Sequence, residues 1–138
     1  MKKEYLNPTK FYSHAVSATG GKIVYVSGQV SWDASGKVVG KGDMRAQSEQ
    51  VFASLTRNLK AAGATWSDVI KVNGYMVGMT PEAVTAYREV RTRFFNPRKM
   101  PASTLVGVDC LVHPDLLLEV EVIAALGARP ATTKKKKR

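Results

Sequence analysis

One stretch constrains the fold of this chain more than any other: Asp115-Leu-Leu-Leu-Glu-Val-Glu-Val-Ile-Ala-Ala-Leu126. Its density of branched and apolar residues predicts a buried β-strand. Side chains two apart on a strand share a face, so Glu119 and Glu121 point one way. Leu118, Val120, Val122 and Ala124 point the other way. Carboxylates in such company must face water, find a partner or shift their pKa. A water-filled cleft beside a subunit interface would suit the pair.

The rest of the chain supplies partners for that strand. Phe11–Ala18, Lys22–Gly28, Lys37–Gly40, Val69–Gly78 and Ala102–Leu111 read as further strands, the second running on into Gln29-Val-Ser-Trp32. Residues 1–10 read as irregular. One helix opens at Gly42-Asp43, with Asp43 as N-cap, and stops at Gly63. A second begins at Thr80-Pro81, and Ala83, Tyr87, Val90 and Phe94 mark its apolar face. Trp66-Ser-Asp68 reads as a turn. The order β-β-β-α-β-α-β-β predicts an α+β fold with a mixed sheet and both helices on one face. Val, Leu and Ile occur on both faces of the last two strands, which predicts an oligomer that packs sheet faces together. The alternative is a different strand register.

The chain has 138 residues and fits one domain, residues 1–128, followed by a basic disordered tail at 129–138. Lys134, Lys135, Lys136, Lys137 and Arg138 supply half of the net charge of +10. That tail reads first as a solubilising segment and second as an electrostatic arm for nucleic acid or an anionic membrane. The apolar runs fall short of a membrane span, and the first residues lack the apolar core of a secretory signal. The lone Cys110 cannot form an internal disulfide, which fits a reducing, cytoplasmic setting.

Several chemistries are disfavoured by spacing. His14, His113 and Cys110 are scattered singly, so no metal site is expected. Ser13 and His14 are strand neighbours on opposite faces and cannot act as nucleophile and base. Gly36, Gly40 and Gly42 lack the spacing of a phosphate loop. Trp32 and Trp66 flank turns as packing residues, and no basic-aromatic alternation suggests an RNA platform. On the second helix, Arg88 and Arg91 share a face, and Arg93 is placed to pair with Glu89. That face is either solvated or offers a guanidinium to a ligand carboxylate.

Taken in order, several segments resemble the RidA/YjgF family of reactive intermediate deaminases, also labelled endoribonuclease L-PSP-like. They are Phe11-Tyr-Ser-His-Ala-Val16, Tyr25-Val-Ser-Gly-Gln29, Gln47–Leu55, Leu59–Val69, Phe94-Phe95, Pro101-Ala102 and Leu118-Glu-Val-Glu-Val-Ile-Ala124. The resemblance implies a chorismate-mutase-like fold with a six-stranded sheet, assembled as a homotrimer. It further implies three clefts, each lined by two subunits, that bind a small molecule and need no cofactor or metal. In well-known members the cleft hydrolyses imines or enamines.

By the same resemblance, Tyr12, Ser27, Gly28 and Gln29 match substrate-binding positions, and Glu121 matches the catalytic glutamate that orients water. The family's carboxylate-gripping arginine falls at Ser103, in Pro101-Ala102-Ser103. A serine hydroxyl does not replace a bidentate pair built from charged hydrogen bonds of about 1.5–3 kcal/mol each. This departure argues against 2-iminoacid deamination. Arg88, at a position where deaminating members carry asparagine, is a candidate replacement cation; the alternative is that it stays in solvent. Three functions follow in order: a hydrolase of imine, enamine or related C–N bonds; a non-catalytic small-ligand sensor; and, least favoured, an RNA-binding or RNA-cleaving protein.

Overall fold

The acidic strand sits inside a six-stranded mixed sheet in the computed structural model, which describes residues 1–128. The strands are β1 (Lys2–Pro8), β2 (Ser13–Thr19), β3 (Lys22–Val30), β4 (Val69–Val77), β5 (Ala102–Val108) and β6 (Leu118–Leu126). The helices are α1 (Met44–Ala61) and α2 (Pro81–Arg91). The sheet order is β1-β2-β5-β4-β6-β3. Strand β6 runs antiparallel to both neighbours, whereas β5 is parallel to β2 and β4.

Both helices cover one face, as the order of elements predicts. Val51, Phe52, Leu55 and Leu59 of α1 and Tyr87 and Val90 of α2 are buried in one core with Val72, Met76, Leu118, Val120 and Val122 of the sheet. Phe52 stacks on Trp66 and Phe94, so Trp66 is a packing residue. Asp43 accepts from the Ala46 amide and Thr80 from the Ala83 amide, with Pro81 opening α2.

The opposite face is open. Tyr25 is 77% exposed and Val106 41%. The pairing Tyr25↔Ile123, Asn73↔Glu121 and Tyr75↔Glu119 sets these residues on that face.

Two elements differ from expectation. Residues 2–8, expected to be irregular, form β1 against β2. This edge strand is held by backbone pairing and by Lys3–Asp68 at 3.5 Å, so apolar alternation does not reveal it. Lys37–Gly40, expected to be a strand, makes a single bridge, Trp32↔Val38. Gly36 and Gly40 have φ of 79° and 73°, which interrupts extended backbone on both sides. The strand count survives because one error offsets the other. Other boundaries shift: β2 starts at Ser13, β5 ends at Val108, β6 starts at Leu118, and Trp66–Asp68 is a 3-10 turn. The expected Arg93–Glu89 pair does not form. A 3-10 turn at Thr92–Phe94 ends the α-helical spacing, and α1 offers other partners: Arg93 pairs with Glu49 and Glu89 with Arg45. The basic tail lies outside the described residues.

Candidate functional site

The expected site residues fall into two places on the protomer. Ser103 pairs with Val72 of β4, and Glu121 pairs with the next residue, Asn73. Successive strand residues face opposite sides, so Ser103 looks toward the helices and Glu121 toward the open face. One protomer therefore does not bring the two together.

On the open face, Glu121 Oε1 accepts from Asn73 Nδ2 and from Tyr75 Oη, each at 2.9 Å. Both donors sit on β4, where alternation points them at β6. The bond to the carboxylate and partial desolvation raise the Tyr75 phenol above its ordinary pKa. The two donors hold the same oxygen, Oε1. A cavity of about 240 Å³ adjoins the carboxylate, lined by Tyr25, Val26, Ser27, Glu121, Val122 and Ile123.

Gly28 belongs to the same face and touches Glu119. A methyl added there would stand 1.9 Å from Glu119 Oε1. Glycine at this position lets the second carboxylate lie across β3. The pairing of β3 with β6 slips between Val26 and Gln29, which turns the Gln29 side chain toward the helices. There Gln29 Oε1 accepts from Ser54 Oγ at 2.7 Å and from Asn58 Nδ2 at 3.2 Å. Gln29 thus joins β3 to α1 and does not join Glu121.

The second place lies between α2 and the β2–β5 seam. Strands β2 and β5 are paired only at Ser13↔Ala102. Their divergence opens a cavity of about 190 Å³, lined by Phe11, Tyr12, Tyr87, Arg88, Arg91, Ser103 and Leu105. Tyr12, Arg88 and Ser103 of the expected set meet here. Tyr12 packs edge-on against His14, with ring centres 5.1 Å apart. The exposed Arg88 guanidinium lies over the Phe11 ring at 4.6 Å.

Two residues beside Glu121, Asn73 and Tyr75, were not singled out in the sequence; in this cavity Tyr87 was expected on the apolar face of α2, and Arg91 on a face shared with Arg88. Tyr87 and Arg91 are buried at 2% exposure each. Arg91 stands one turn beyond Tyr87, in line with the apolar stripe of α2, which is a legible signal for an arginine turned inward. Burial pulls the Arg91 guanidinium below its ordinary pKa and pushes the Tyr87 phenol up, the latter opposed by Arg91 and Arg88. Asn73 and Tyr75 were legible only through the register of β4 against β6. Among the described residues, no group of three or more His, Cys, Asp or Glu side chains is placed to hold a metal. No described helix is long and apolar enough to cross a membrane.

Residues 2–126 match the family described as Endoribonuclease L-PSP. A RutC family protein of Pyrococcus horikoshii is 36% identical over 113 residues, covering 82% of this chain and 85% of that protein. A 2-iminobutanoate/2-iminopropanoate deaminase of Dermatophagoides farinae is 33% identical over 97 residues, 70% of this chain and 72% of its own. The crystal structure of a Rid family protein from Yersinia pestis superposes with a TM-score of 0.81 at 34% identity, covering 91% of this chain and all of that one.

Proposed function

The chain belongs to the endoribonuclease L-PSP (RidA/YjgF) family, and from that premise we propose that it hydrolyses a C–N bond of a small imine or enamine. The reaction takes place in clefts between protomers of a homotrimer in a cytoplasmic setting. The observation that carries this reading is Glu121, a carboxylate anchored through one oxygen by Asn73 and Tyr75 beside an open cavity. An acceptor so fixed orients a water and takes its proton as that water attacks the C=N carbon. Nitrogen leaves as ammonia after proton return, and a carbonyl compound remains. The deaminase from Dermatophagoides farinae supports the reaction class.

The two-part geometry supports association. Ser103 and Glu121 lie on opposite sheet faces, so a complete site needs the open face of one protomer against the seam cavity of the next. The exposed Tyr25 gives that open face an apolar element to bury.

A second reading is a non-catalytic sensor of small ligands, favoured by Ser103 at the position where the resemblance implies an arginine. Ammonia release from imines generated in situ separates the two. Wild-type protein is expected to accelerate release, and Glu121→Gln to lower the rate about a hundredfold. Ligand-induced melting shifts with equal release by both proteins would favour the sensor.

A further inference from the structure

Charge is unevenly distributed around the Glu121 cavity. Glu119 and Glu121 share the open face, and among the described residues neither takes part in an ion pair. Glu121 is the charged member of a described lining that otherwise holds Tyr25, Val26, Ser27, Val122 and Ile123. A carboxylate offers about four lone-pair sites, and Asn73 and Tyr75 each take one. Glu121 therefore keeps capacity for a donor brought by a ligand.

The cations of the open face and of the seam cavity are turned elsewhere. Lys71 shares the face of Asn73 on β4. Its Nζ donates to Thr104 Oγ1 at 2.9 Å, toward β5 and away from β6. Arg91 donates Nη1 to the Phe11 carbonyl at 2.7 Å, and its Nε and Nη2 are sealed from the surface. Arg88 is exposed, with its guanidinium over the Phe11 ring. A carboxylate drawn to it there would form a solvated pair, which contributes little. Ser103 carries no charge. The net charge of +10 leaves this local balance in place, because physiological salt screens charges beyond about 8 Å. A substrate carboxylate thus meets no built clamp, whereas two acids without ion pairs stand on the face that holds the cavity.

We propose that this site takes an imine without a carboxylate group, held as its iminium cation. The inference rests on the reading of Glu121 as the base and names the substrate class of that site. Tyr25 and Ile123 are paired across β3 and β6 and wall the cavity for an apolar substituent. An aromatic ring also suits a neighbouring cation. The positive charge makes the C=N carbon more electrophilic. Glu121 takes a proton from water as the C–O bond forms, and the C=N π pair moves to nitrogen. That proton then returns to nitrogen, the C–N bond breaks, and the hydroxyl proton leaves with the amine. Iminium and water so give a carbonyl compound and ammonium.

Propanamidinium, propanoate and propanamide share one shape and are cationic, anionic and neutral. Each is titrated into the assembled protein, with the 13C-labelled Ile123 δ1 methyl reporting on the cavity. Propanamidinium is expected to shift that signal saturably and to bind about tenfold or more tightly than propanamide. Propanoate is expected to leave it in place. Glu121→Gln should weaken propanamidinium binding about tenfold or more. Glu82→Gln removes an exposed acid of α2 and should bind as wild type does. The comparison of the three probes on wild-type protein needs no variant.

Propanoate binding as tightly as propanamidinium would overturn the proposal. An Ile123 signal unmoved by propanamidinium, or binding undiminished by Glu121→Gln, would overturn it too. Turnover separates this inference from the hydrolase. Ammonia release from propan-2-imine is expected to exceed that from its carboxylate counterpart, 2-iminopropanoate. The reverse order keeps the hydrolase and defeats the inference. Selective propanamidinium binding without ammonia release from any imine keeps the charge preference and defeats the hydrolase.

Discussion

At the scale of single residues, the two cavities use polar groups differently. Glu121 accepts twice at one oxygen and lines a cavity, an arrangement that orients without sealing. Tyr87 is sealed without a hydrogen bond, so its neutral form is favoured by burial. Its pKa in the folded protein therefore lies above the value of about 10 expected of an unfolded tyrosine. A raised pKa contributes stability that is intact below that value and is lost as pH climbs through the folded one. Melting temperature is thus expected to fall above about pH 10. Tyr87→Phe should flatten part of that fall, with Tyr5 and Tyr75, also raised, accounting for the remainder. Identical alkaline melting curves for wild type and Tyr87→Phe would remove this account. That Glu119 and Glu121 share one face was legible from alternation. The partners Asn73 and Tyr75 were not, because nothing local determines which residue of a strand lies opposite when the two are 48 and 46 positions apart.

At the scale of elements, α1 depends on both of its ends and on one buried amide. Asp43→Ala removes the side-chain acceptor at its N-terminus and should cost about 1 kcal/mol in denaturant unfolding. Gln47 ties three loop groups to the helix: Nε2 donates to the Gly40 and Asp115 carbonyls, and Oε1 accepts from the Leu117 amide. Gln47→Ala leaves those groups without their partner and should cost about 3 kcal/mol. A loss for Gln47→Ala no larger than for Asp43→Ala would contradict that ranking. Both helices were legible because caps and apolar stripes are local signals. Strand β1 was not, because its sequence, Lys-Lys-Glu-Tyr-Leu-Asn-Pro, carries charge on an edge where backbone pairing to β2 and the distant Lys3–Asp68 ion pair decide the matter. The error at Lys37–Gly40 has the converse cause. Two valines suggested a strand, but flanking glycines in left-handed conformation allow one bridge only.

At the scale of the whole molecule, the sheet has one face packed by helices and one presenting Tyr25, Ile23 and Val106 to solvent. Burial of such a face in a trimer is expected to be sensitive to charge. Tyr25→Glu should shift the assembly toward monomer in sedimentation velocity while the far-ultraviolet spectrum of the fold persists. A wild-type protein that sediments as a monomer would refute the assembly itself. The chain's own residues determined the α+β class, the two capped helices, the double-sided apolar character of the last strands and the pairing of Glu119 with Glu121 on one face. All of these follow from short-range periodicity and capping. Only the tertiary structure decided that Ser103 and Glu121 stand on opposite faces, that Gln29 turns to α1 across an irregularity in β3, and that Arg91 is buried and donates to the Phe11 carbonyl. Each depends on the register of strands and on the docking of a helix, where contacts join residues far apart in the chain.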